Sequence, residues 1–409
     1  MEVYLVGGAV RDRLLGRPVH ERDWVVVGAR PEDLERDGYV SVGREFPVFL
    51  HPTTHEEYAL ARLERKVAPG YRGFATQFSP EVTLEEDLRR RDLTINAMAE
   101  SSTGEIVDPY GGRHDLEARV LRHVSESFIE DPVRILRVAR FAARYADLGF
   151  RVAEDTRELM TRMTESGEVN ALVPERVWQE TDRALGESRP DVYFETLRSC
   201  GALKVIFPEV DALFGVPQPP KWHPEIDTGV HVMLSLLYAA NAGASTAVRY
   251  AVLAHDLGKA LTPANVLPSH RGHEEAGVSL VEAMSDRLKV PNGYRELAVL
   301  VCRHHILVHK AEELRPSTLL KFLETSDAFR RPERFSDFLL ACESDARGRT
   351  GLENRPYPQP AYLRHARDVA ASITLSASDR AGLEGRAIGQ KLRTLRLEAL
   401  AALKFADHH

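Results

Sequence analysis

Apolar and polar positions alternate over about the first hundred residues in short runs that predict strands joined by turns and brief helices. VYLV (3–6) and DWVVVG (23–28) are predicted strands, and VFLH and EYALARLE predict further strands. Gly7 and Gly8 predict a tight turn before a short helix over AVRDRLLG. TLEE, from Thr83, is a capping box that predicts the start of a helix leading into LRRRDLTINAMA. This region is therefore predicted to be α+β.

From about residue 115 onward the apolar positions recur at helical spacing. Asp131 followed by Pro132 predicts an N-cap and a first helical residue, opening the helix VRILRVARFAARY. The Pro-rich stretch VPQPPKWHP (216–224) is interpreted as a linker, and NRPYPQP (354–360) as a second break before a helical tail. The remainder of the chain is predicted to be all-α.

Composition narrows this picture in only a few respects. A chain of 409 residues exceeds one ordinary core, so about two to four domains are expected. No apolar run predicts a membrane span, and the start of the chain lacks the layout of a signal peptide. Three cysteines without a CxxC fit a reducing cytoplasm and argue against thiolate zinc. With a net charge of −7, the protein could bind nucleic acid only through local basic patches.

Two features near the N-terminus fit nucleotide chemistry. The turn at Gly7 and Gly8 offers bare backbone N–H groups at a helix start, where a triphosphate could bind, although a plain tight turn has the same pattern. Glu21 and Asp23 are two positions apart at a strand start, so both carboxylates face one side. Such a pair suits Mg²⁺ and two-metal transfer to an RNA 3′-hydroxyl. The alternative is a solvated acidic loop.

Arginines form a third feature. Arg134, Arg137, Arg140 and Arg144 recur at steps of three and four residues, which places them along one stripe of a helix. Four arginines without a lysine favour bidentate recognition of phosphates or base edges, and a second basic cluster lies at 89–91. The alternative is the solvated face of an amphipathic helix.

Five ordered motifs then make the family recognisable: LVGGAVRDRLLG, ERDW, RRDLTINA, DPYGG and EDPVRILRVAR. Together they resemble the bacterial CCA-adding enzymes of the class II nucleotidyltransferase and poly(A) polymerase superfamily. The resemblance implies a polymerase-β-like head with a small mixed sheet. It also implies Mg²⁺ held by Glu21 and Asp23, where the family usually has aspartate at both positions. The implied nucleotide-binding residues are Gly8, Arg11, Arg91, Glu130, Asp131, Arg134, Arg137 and Arg140.

Within that set, Glu130, Asp131 and Arg134 match the family element EDxxR, which selects CTP and then ATP through side chains. A carboxylate can accept a hydrogen bond from the exocyclic amine of C or A, and a guanidinium can donate to a ring nitrogen or carbonyl. The alternative is that Asp131 is a structural N-cap, and both roles could hold in different states. GYRGFA (70–75) is a candidate for the segment that changes the site from C to A addition.

Histidines and aspartates form a second constellation in the helical part. His255-Asp256 ends an apolar segment and precedes Leu-Gly-Lys, whereas His114-Asp115 is interpreted as a chance pair. Further candidates lie at the start, within or at the end of other apolar helices: His231, His273, His304, His305 and Asp345. A buried histidine is usually only part of a core, but four or five on separate apolar helices exceed that expectation.

This layout resembles the HD phosphohydrolase superfamily, an all-helical fold with His…His-Asp…Asp ligands. The resemblance implies metal ligands at His231, His255, Asp256 and Asp345, with His255 and Asp256 central to catalysis. Imidazole ligands favour Ni²⁺ or another late first-row divalent metal, which would activate a water. His273, His304 and His305 are predicted to lie around these ligands or to contact substrate.

The combination resembles the multifunctional type of CCA-adding enzyme. It implies addition and repair of the 3′-terminal CCA of tRNA from CTP and ATP, without a nucleic-acid template. It also implies 2′,3′-cyclic phosphodiesterase, 2′-nucleotidase and phosphatase activities in the HD domain. A cytoplasmic enzyme with no membrane partner is expected, either a monomer or a weak homodimer. The predicted domains are a nucleotidyltransferase head with the start of the neck (1–140), an RNA-binding helical neck and body (141–222), an HD domain (223–350) and a helical tail (351–409).

Two other functions stay open at this point. A poly(A) polymerase with an accessory HD domain would share the head, although the moderate length and the HD domain argue against it. An RNA-binding or nucleotide-sensing protein would use the HD site as its only enzyme. Addition of C to tRNA lacking CCA would argue against the poly(A) polymerase. Loss of nucleotide addition in Asp23→Ala would argue against a protein whose only enzyme is the HD site.

Overall fold

A computed structural model describes residues 1–42, 48–66 and 74–406 of the chain, which divides into two compact units, Met1–Ile206 and Phe207–His409. The Pro-rich segment at 216–224, interpreted from the sequence as a linker, does not separate the units. It lies within the second one, where the Gln218 side chain is buried. The described helices include none that is both long and apolar enough to cross a lipid bilayer.

All described strands belong to the first unit. They are β1 (Glu2–Val6), β2 (Asp23–Val27), β3 (Val40–Val42), β4 (Val48–Leu50), β5 (Glu57–Leu60), β6 (Arg62–Lys66), β7 (Phe74–Phe78), β8 (Ala99–Glu100), β9 (Ile106–Val107), β10 (Val120–Leu121) and β11 (Arg151–Val152). Seven of them form one mixed sheet in the order β3-β4-β5-β2-β1-β8-β9, in which β2 and β5 are parallel. Strands β6 and β7 form an antiparallel pair, and β10 and β11 a parallel one.

The central strands are buried on both faces of this sheet. Successive residues of a strand point to opposite sides, so Val25 and Val26 of β2 enter different clusters. Val25 packs with Val6 and Leu88, whereas Val26 packs with Phe49. Because both faces are covered, the residues at the start of β2 are held in a fixed position at the sheet end.

The described part of the first unit also contains nine α-helices. They are α1 (Gly8–Leu14), α2 (Pro31–Arg36), α3 (Leu84–Arg89), α4 (Gly112–Ala118), α5 (Val133–Tyr145), α6 (Glu154–Glu165), α7 (Pro174–Leu185), α8 (Pro190–Ser199) and α9 (Ala202–Ile206). The predicted capping box at α3 is confirmed: Thr83 Oγ1 accepts from Glu86 N at 3.2 Å, and Glu86 Oε2 accepts from Thr83 N at 2.9 Å.

Helix α5 begins one residue later than the sequence predicted, with Pro132 instead of Asp131 at its N-cap. The side chain of Asp131 nevertheless caps the helix. Its Oδ1 accepts a hydrogen bond from Val133 N at 3.0 Å, which satisfies one of the unpaired amides of the first turn. The position of the carboxylate is therefore tied to the helix start.

The second unit is helical throughout its described part. Its helices are α10 (Pro208–Asp211), α11 (Thr228–Asn241), α12 (Thr246–Ala254), α13 (His273–Arg287), α14 (Asn292–His309), α15 (Pro316–Thr325), α16 (Pro332–Arg347), α17 (Gln359–Ser372), α18 (Ala377–Arg380) and α19 (Arg386–Ala406). Helices α11, α12, α14 and α16 pack against one another, and α13 packs on α14. The apolar sides of these helices form the core that surrounds the predicted histidine constellation.

Candidate nucleotide cleft and candidate metal centre

The first unit contains a cleft of about 1010 Å³ with a strongly basic lining. Ten arginines and five carboxylates of the described residues line it, so these side chains give the walls a positive excess. These residues are Arg11, Arg62, Arg90, Arg91, Arg134, Arg137, Arg140, Arg144, Arg176 and Arg183, with Glu21, Asp23, Asp92, Asp131 and Glu187. A cleft of this charge on an acidic chain is suited to a polyanion.

The glycine turn after β1 forms one wall of the cleft. Gly7 has a φ of +69°, a conformation that favours glycine, and a Cβ there would lie 2.8 Å from Arg91 Nη1, so the end of that side chain would have to shift. Arg11, one helical turn after Gly8, is buried and donates from Nη1 to Asn96 Oδ1 at 2.5 Å. The turn therefore brings two guanidinium groups close to the N-terminus of α1.

The acidic pair lies beside this turn, since Val6, which precedes Gly7, pairs with Asp23 in the antiparallel register of β1 and β2. Asp23 is the first residue of β2, Glu21 precedes the strand, and both line the cleft. Although much of the Asp23 side chain is open to the cleft, partial loss of solvent raises its pKa. Arg91 opposes this shift and Glu21 adds to it. Two carboxylates whose charges repel and that face a shared space are a donor set for a hard divalent cation.

The arginine stripe of α5 is not the solvated face that one interpretation of the sequence allowed. Arg134 and Arg140 are buried, and all four of its arginines line the cleft. Arg134 donates to two backbone carbonyls, Ser127 O and Arg90 O, each at 2.7 Å. Hydrogen bonds of this kind fix the plane of the guanidinium before any ligand binds.

Carboxylates that the sequence did not single out hold the neighbouring arginines. Arg137 Nε donates to Asp92 Oδ2 at 2.7 Å, and Arg140 Nε donates to Glu180 Oε2 at 2.7 Å. Burial would raise the pKa of Asp92, but the adjacent Arg137 outweighs it and holds that pKa well below its ordinary value. Asp92 is therefore a permanent anion that orients Arg137 toward the cleft.

Asp131 also lies in the cleft, where Arg176 Nη2 donates to its Oδ2 at 3.1 Å. Glu130, predicted beside it as a nucleotide-binding residue, is not among the lining residues. The predicted switching segment GYRGFA lies outside the described residues at positions 70–73. Of the residues predicted for this site, the structure thus brings together all except Glu130.

The second unit gathers the predicted metal ligands at one buried point. His231 Nε2 lies 3.0 Å from Asp345 Oδ1 and 3.9 Å from Asp256 Oδ2, and His255 Nε2 lies 3.2 Å from Asp256 Oδ2. All four side chains are at most 3% exposed. They come from helices α11 and α16 and from the end of α12, so the convergence is purely tertiary.

Several atoms of this cluster that could bind a metal have no hydrogen bond of normal geometry among the described residues. His255 donates from Nδ1 to Val252 O at 2.6 Å, which leaves a lone pair on Nε2. Neither this Nε2 nor either carboxylate oxygen of Asp256 has a hydrogen bond of normal geometry among the described residues. Buried polar atoms seldom lack a partner, so the donor set fits a bound cation.

Charges around the cluster act on its protonation. Burial would lower the pKa of His255, but Asp256 and Asp345 outweigh it and raise that pKa. Burial would raise the pKa of Asp256, but His255 and Lys259 hold it well below its ordinary value. Lys259 Nζ lies 2.7 Å from Asp256 Oδ2. The aspartate is therefore anionic, as a metal ligand must be.

Several residues that support the cluster were missed by the sequence reasoning. His309 Nε2 lies 2.6 Å from Asp345 Oδ2, and Arg349 Nη2 lies 3.1 Å from Asp345 Oδ1. Helical spacing could have shown both, because His309 follows His305 by four positions and Arg349 follows Asp345 by four. These two contacts, one to each carboxylate oxygen, orient the side chain of Asp345.

Two of the other histidine predictions have different outcomes. His304 packs its ring against Phe322 and lies in none of the candidate metal groups of the described residues. In the pair interpreted as a chance occurrence, Asp115 accepts from Thr94 Oγ1 at 2.8 Å and pairs with Arg122. That aspartate is therefore held by structural contacts within the head.

Comparison with known proteins decides the family. Three family models match in order: a poly A polymerase head domain over residues 3–122, a probable RNA and SrmB-binding site of polymerase A over 149–214, and an HD domain over 228–331. A multifunctional CCA protein of Thioalkalivibrio sulfidiphilus is 64% identical, covering 99% of both chains. The chain belongs to the multifunctional CCA protein family.

Other members and solved structures agree with this. The multifunctional CCA protein of Alkalilimnicola ehrlichii is 61% identical over 99% of this chain and 98% of its own. An apo CCA-adding enzyme superposes with a TM-score of 0.67 at 23% identity, covering 98% of this chain and 88% of the other. A Thermotoga maritima CCA-adding enzyme complexed with tRNA gives 0.63 at 20%, covering 100% and 92%.

Several sequence predictions are thereby confirmed: membership of this family, an enzyme of the CCA-adding type, and a polymerase head with a small mixed sheet followed by a helical body and an HD domain. The roles of individual site residues and the four domain boundaries stay predictions.

Proposed function

We propose that this multifunctional CCA protein adds and repairs the 3′-terminal CCA of tRNA, using CTP and ATP without a nucleic-acid template. The observation that carries the proposal is the basic cleft, which holds the glycine turn, the acidic pair and the arginines of α5 together. The names of the relatives support CCA addition over poly(A) synthesis. A tRNA complex of a structurally similar enzyme supports RNA as the acceptor. The helical region 141–222 is proposed to bind it.

The arginines are proposed to bind the triphosphate of the incoming nucleotide. Arg11, Arg91, Arg137 and Arg140 present guanidinium groups to a space that borders the glycine turn, and oriented guanidinium groups bind phosphate in a bidentate manner. Buried carboxylates keep these arginines oriented: Asp87 pairs with Arg91, Asp92 with Arg137 and Glu180 with Arg140. The same arginines would position pyrophosphate as it leaves.

Glu21 and Asp23 are proposed to hold Mg²⁺. Both carboxylates line the cleft. Because their charges repel, the pair is suited to binding a divalent cation between them. Magnesium held there supplies Lewis-acid stabilisation of the attacking 3′-oxygen and of the pyrophosphate leaving group. Strand β2 positions Asp23, its first residue, because both faces of the strand are buried, whereas Glu21 lies in the segment that precedes the strand.

Selection of C and A is proposed to use Asp131 and Arg134, with Glu130 completing the family element. Arg134 is fixed by two carbonyls, and Asp131 by Val133 N and Arg176. A rigid acceptor and a rigid donor can match the amine and ring nitrogen of C and A, whereas U and G present the opposite pattern.

The HD domain is proposed to hydrolyse phosphoesters with Ni²⁺ or another late first-row metal, as a 2′,3′-cyclic phosphodiesterase, 2′-nucleotidase and phosphatase. His231, His255, Asp256 and Asp345 would hold the ion. His255 Nε2, which lies 3.2 Å from Asp256 Oδ2, has no hydrogen bond of normal geometry among the described residues, and this supports the proposal. A bound metal of this class lowers the pKa of water toward neutrality. Lys259, next to Asp256, offers a cation for the substrate phosphate.

The transfer reaction is tested with tRNA that ends before CCA. CTP alone is expected to add two C residues, ATP alone little, and both together the complete CCA, read at single-nucleotide resolution on a gel. A long A tail from ATP alone, with no C addition from CTP, would instead identify a poly(A) polymerase. A cytoplasmic location and a monomer or weak dimer stay predictions.

Asp131→Asn separates the two roles of this residue. The amide oxygen can still accept from Val133 N and cap α5, but the negative charge is lost. If the carboxylate selects the base, the preference for CTP and ATP over UTP and GTP, measured as kcat/KM, is expected to fall by about 10- to 100-fold. An unchanged preference would mean that Asp131 is only a cap.

The matched control is Asp108→Asn. Asp108 also caps a helix of the first unit, accepting from Gly112 N at 2.7 Å and Arg113 N at 2.9 Å, but it does not line the cleft. Its nucleotide preference is expected to equal that of the wild type. A similar loss in both variants would indicate a general effect of weakened capping.

A further inference from the structure

We propose that Phe141 and Tyr145 of α5 are positioning residues for nucleotide binding, because their two rings form an uncharged support for the arginines of the cleft. The inference rests on the proposed binding of the triphosphate by Arg11, Arg137 and Arg140. It gives a function to two aromatic residues that motif spacing alone did not distinguish from ordinary core residues.

The two rings are parallel and fixed in place. They are four residues apart on α5, with centroids 6.1 Å apart and an angle of 1° between their planes. Phe141 is 4% exposed and Tyr145 is fully buried, yet Phe141 also lines the cleft. The pair therefore forms a rigid apolar surface beside the basic lining.

Three guanidinium groups of the described residues lie over the ring of Phe141. From Cζ to the ring centroid, the distances are 4.6 Å for Arg140, 5.2 Å for Arg11 and 5.7 Å for Arg137. Cations within about 6 Å of an aromatic centroid are attracted by the electron-rich face of the ring, and more strongly where water is excluded. One ring therefore contacts three of the four arginines that are proposed to bind the triphosphate.

Tyr145 holds the member of this set that comes from a different helix. Arg11 belongs to α1, and its Cζ lies 5.3 Å from the centroid of the Tyr145 ring. The Tyr145 hydroxyl donates to Asp12 Oδ1 at 3.1 Å, and Arg11 Nε donates to the same oxygen at 2.9 Å. The aromatic pair thus joins Arg11 to the arginines of α5, although the two helices are distant in sequence.

A ring and a carboxylate hold an arginine with different consequences. Glu180 Oε2 accepts from Arg140 Nε at 2.7 Å, and it also brings a negative charge that repels a nearby phosphate. Phe141, over which the same guanidinium lies, adds no net charge. Arginines that are supported by rings can therefore be gathered closely while the cleft keeps its attraction for a triphosphate.

The simpler interpretation is that Phe141 only fills the core, and Phe128 is the matched control for it. Phe128 is fully buried in the same unit, and its ring packs against His123 with centroids 5.9 Å apart. Burial lowers the pKa of that histidine, so its ring is neutral near pH 7. In the part of the chain that the structure describes, no arginine or lysine lies over the Phe128 ring.

The test changes the electron density of the ring and keeps its shape. In the full chain, Phe141 is replaced by phenylalanine carrying one, two or three ring fluorines, which weaken the attraction of a cation step by step. Binding of CTP is measured by equilibrium dialysis, and inhibition of C addition by inorganic pyrophosphate gives the affinity for phosphate groups without a base. Both affinities are expected to fall with each fluorine, by about 10-fold over the series.

Phe128 receives the same series of fluorines as the control, and both affinities are expected to stay unchanged. Phe141→Leu and Phe128→Leu form a second pair made from natural residues. Each loses a buried ring, so both are expected to lower Tm, but only Phe141→Leu should weaken CTP and pyrophosphate binding, by about 10-fold. A loss of affinity that follows the loss of stability in both variants would reduce Phe141 to a packing residue.

Equal affinities across the fluorinated Phe141 series would overturn the inference, because a cation attracted by the ring must respond to fluorine. A fall in the affinity for CTP alone, with that for pyrophosphate unchanged, would also overturn it, since the ring would then act on the base. If the unsubstituted protein neither binds CTP nor adds C, the proposed function fails instead of this inference.

Discussion

Replacing Asp23 with alanine is expected to abolish the addition of both C and A to tRNA, while phosphate release by the HD domain stays at the wild-type level. The carboxylate is one of the two cleft carboxylates that are proposed to hold Mg²⁺, and removing it halves that ligand set. Because metal ions contribute several kcal/mol to stabilising the charge of this transition state, kcat/KM for CTP and ATP should fall at least ~1,000-fold. Primer extension and phosphate release are measured on the same preparation.

Glu57→Ala is the matched control for this variant. Glu57 lies opposite Asp23 in the parallel register of β2 and β5, yet it is exposed and does not line the cleft. Its removal changes a neighbouring negative charge without touching the proposed ligands, so nucleotide addition should stay within about twofold of the wild type. Undiminished addition in Asp23→Ala would refute the assignment of the acidic pair, and loss of both activities would argue against independent sites.

Replacing Asp256 with asparagine is expected to eliminate metal-dependent phosphate release and leave CCA addition unchanged. Asparagine keeps the shape of the side chain but lacks the charge that opposes Lys259 and the imidazoles. Without an anionic ligand at this position, hydrolysis of a 2′,3′-cyclic nucleotide should fall at least ~1,000-fold. His255→Ala should have the same effect, since it removes Nε2, a ring nitrogen that would bind the metal and that has no hydrogen bond of normal geometry among the described residues.

Stability must be followed in this experiment, because leaving buried cations without their partner costs about 3–5 kcal/mol. Nucleotide addition by the same sample shows whether the first unit is intact, and circular dichroism shows whether the helices persist. Asp286→Asn is the control, since this exposed aspartate of α13 pairs only at the surface, with Arg295 at 2.8 Å. An Asp256→Asn variant that is folded and still hydrolyses the cyclic nucleotide would refute the ligand assignment.

Local features of the fold were predictable because short-range physics determines them. The strands at Glu2–Val6 and Asp23–Val27, the glycine turn between β1 and α1, and the capping box at Thr83 all depend on residues within a few positions. The start of α5 differed from the prediction by one residue. Pro132 occupies the N-cap position, while the side chain of Asp131 accepts the hydrogen bond of a cap. The linker interpretation of 216–224 was wrong because proline content does not show whether a segment packs into a core.

The sequence predicted that the candidate sites exist, but it did not predict all of the residues that form them. Motif spacing indicated Glu21, Asp23, His255 and Asp256, and the structure places each pair in a cluster. Asp92 and Glu180, which orient the arginines of α5, lie on separate segments and have no local signature. Glu130 adjoins Asp131 in sequence but lies outside the cleft lining: it is the last residue of the short helix Glu126–Glu130, whereas Asp131 follows that helix with an extended backbone.

The amino-acid sequence by itself determined the family, the order of a mixed α+β head and a helical remainder, and the residue types available for chemistry. Only the tertiary structure decided which of these residues meet. The stripe of α5 became a buried arginine wall, and Asp256 came to face two histidine pairs. The physical reason is that spacing along a helix or strand sets only the direction of a side chain, whereas distances between elements depend on how whole faces pack.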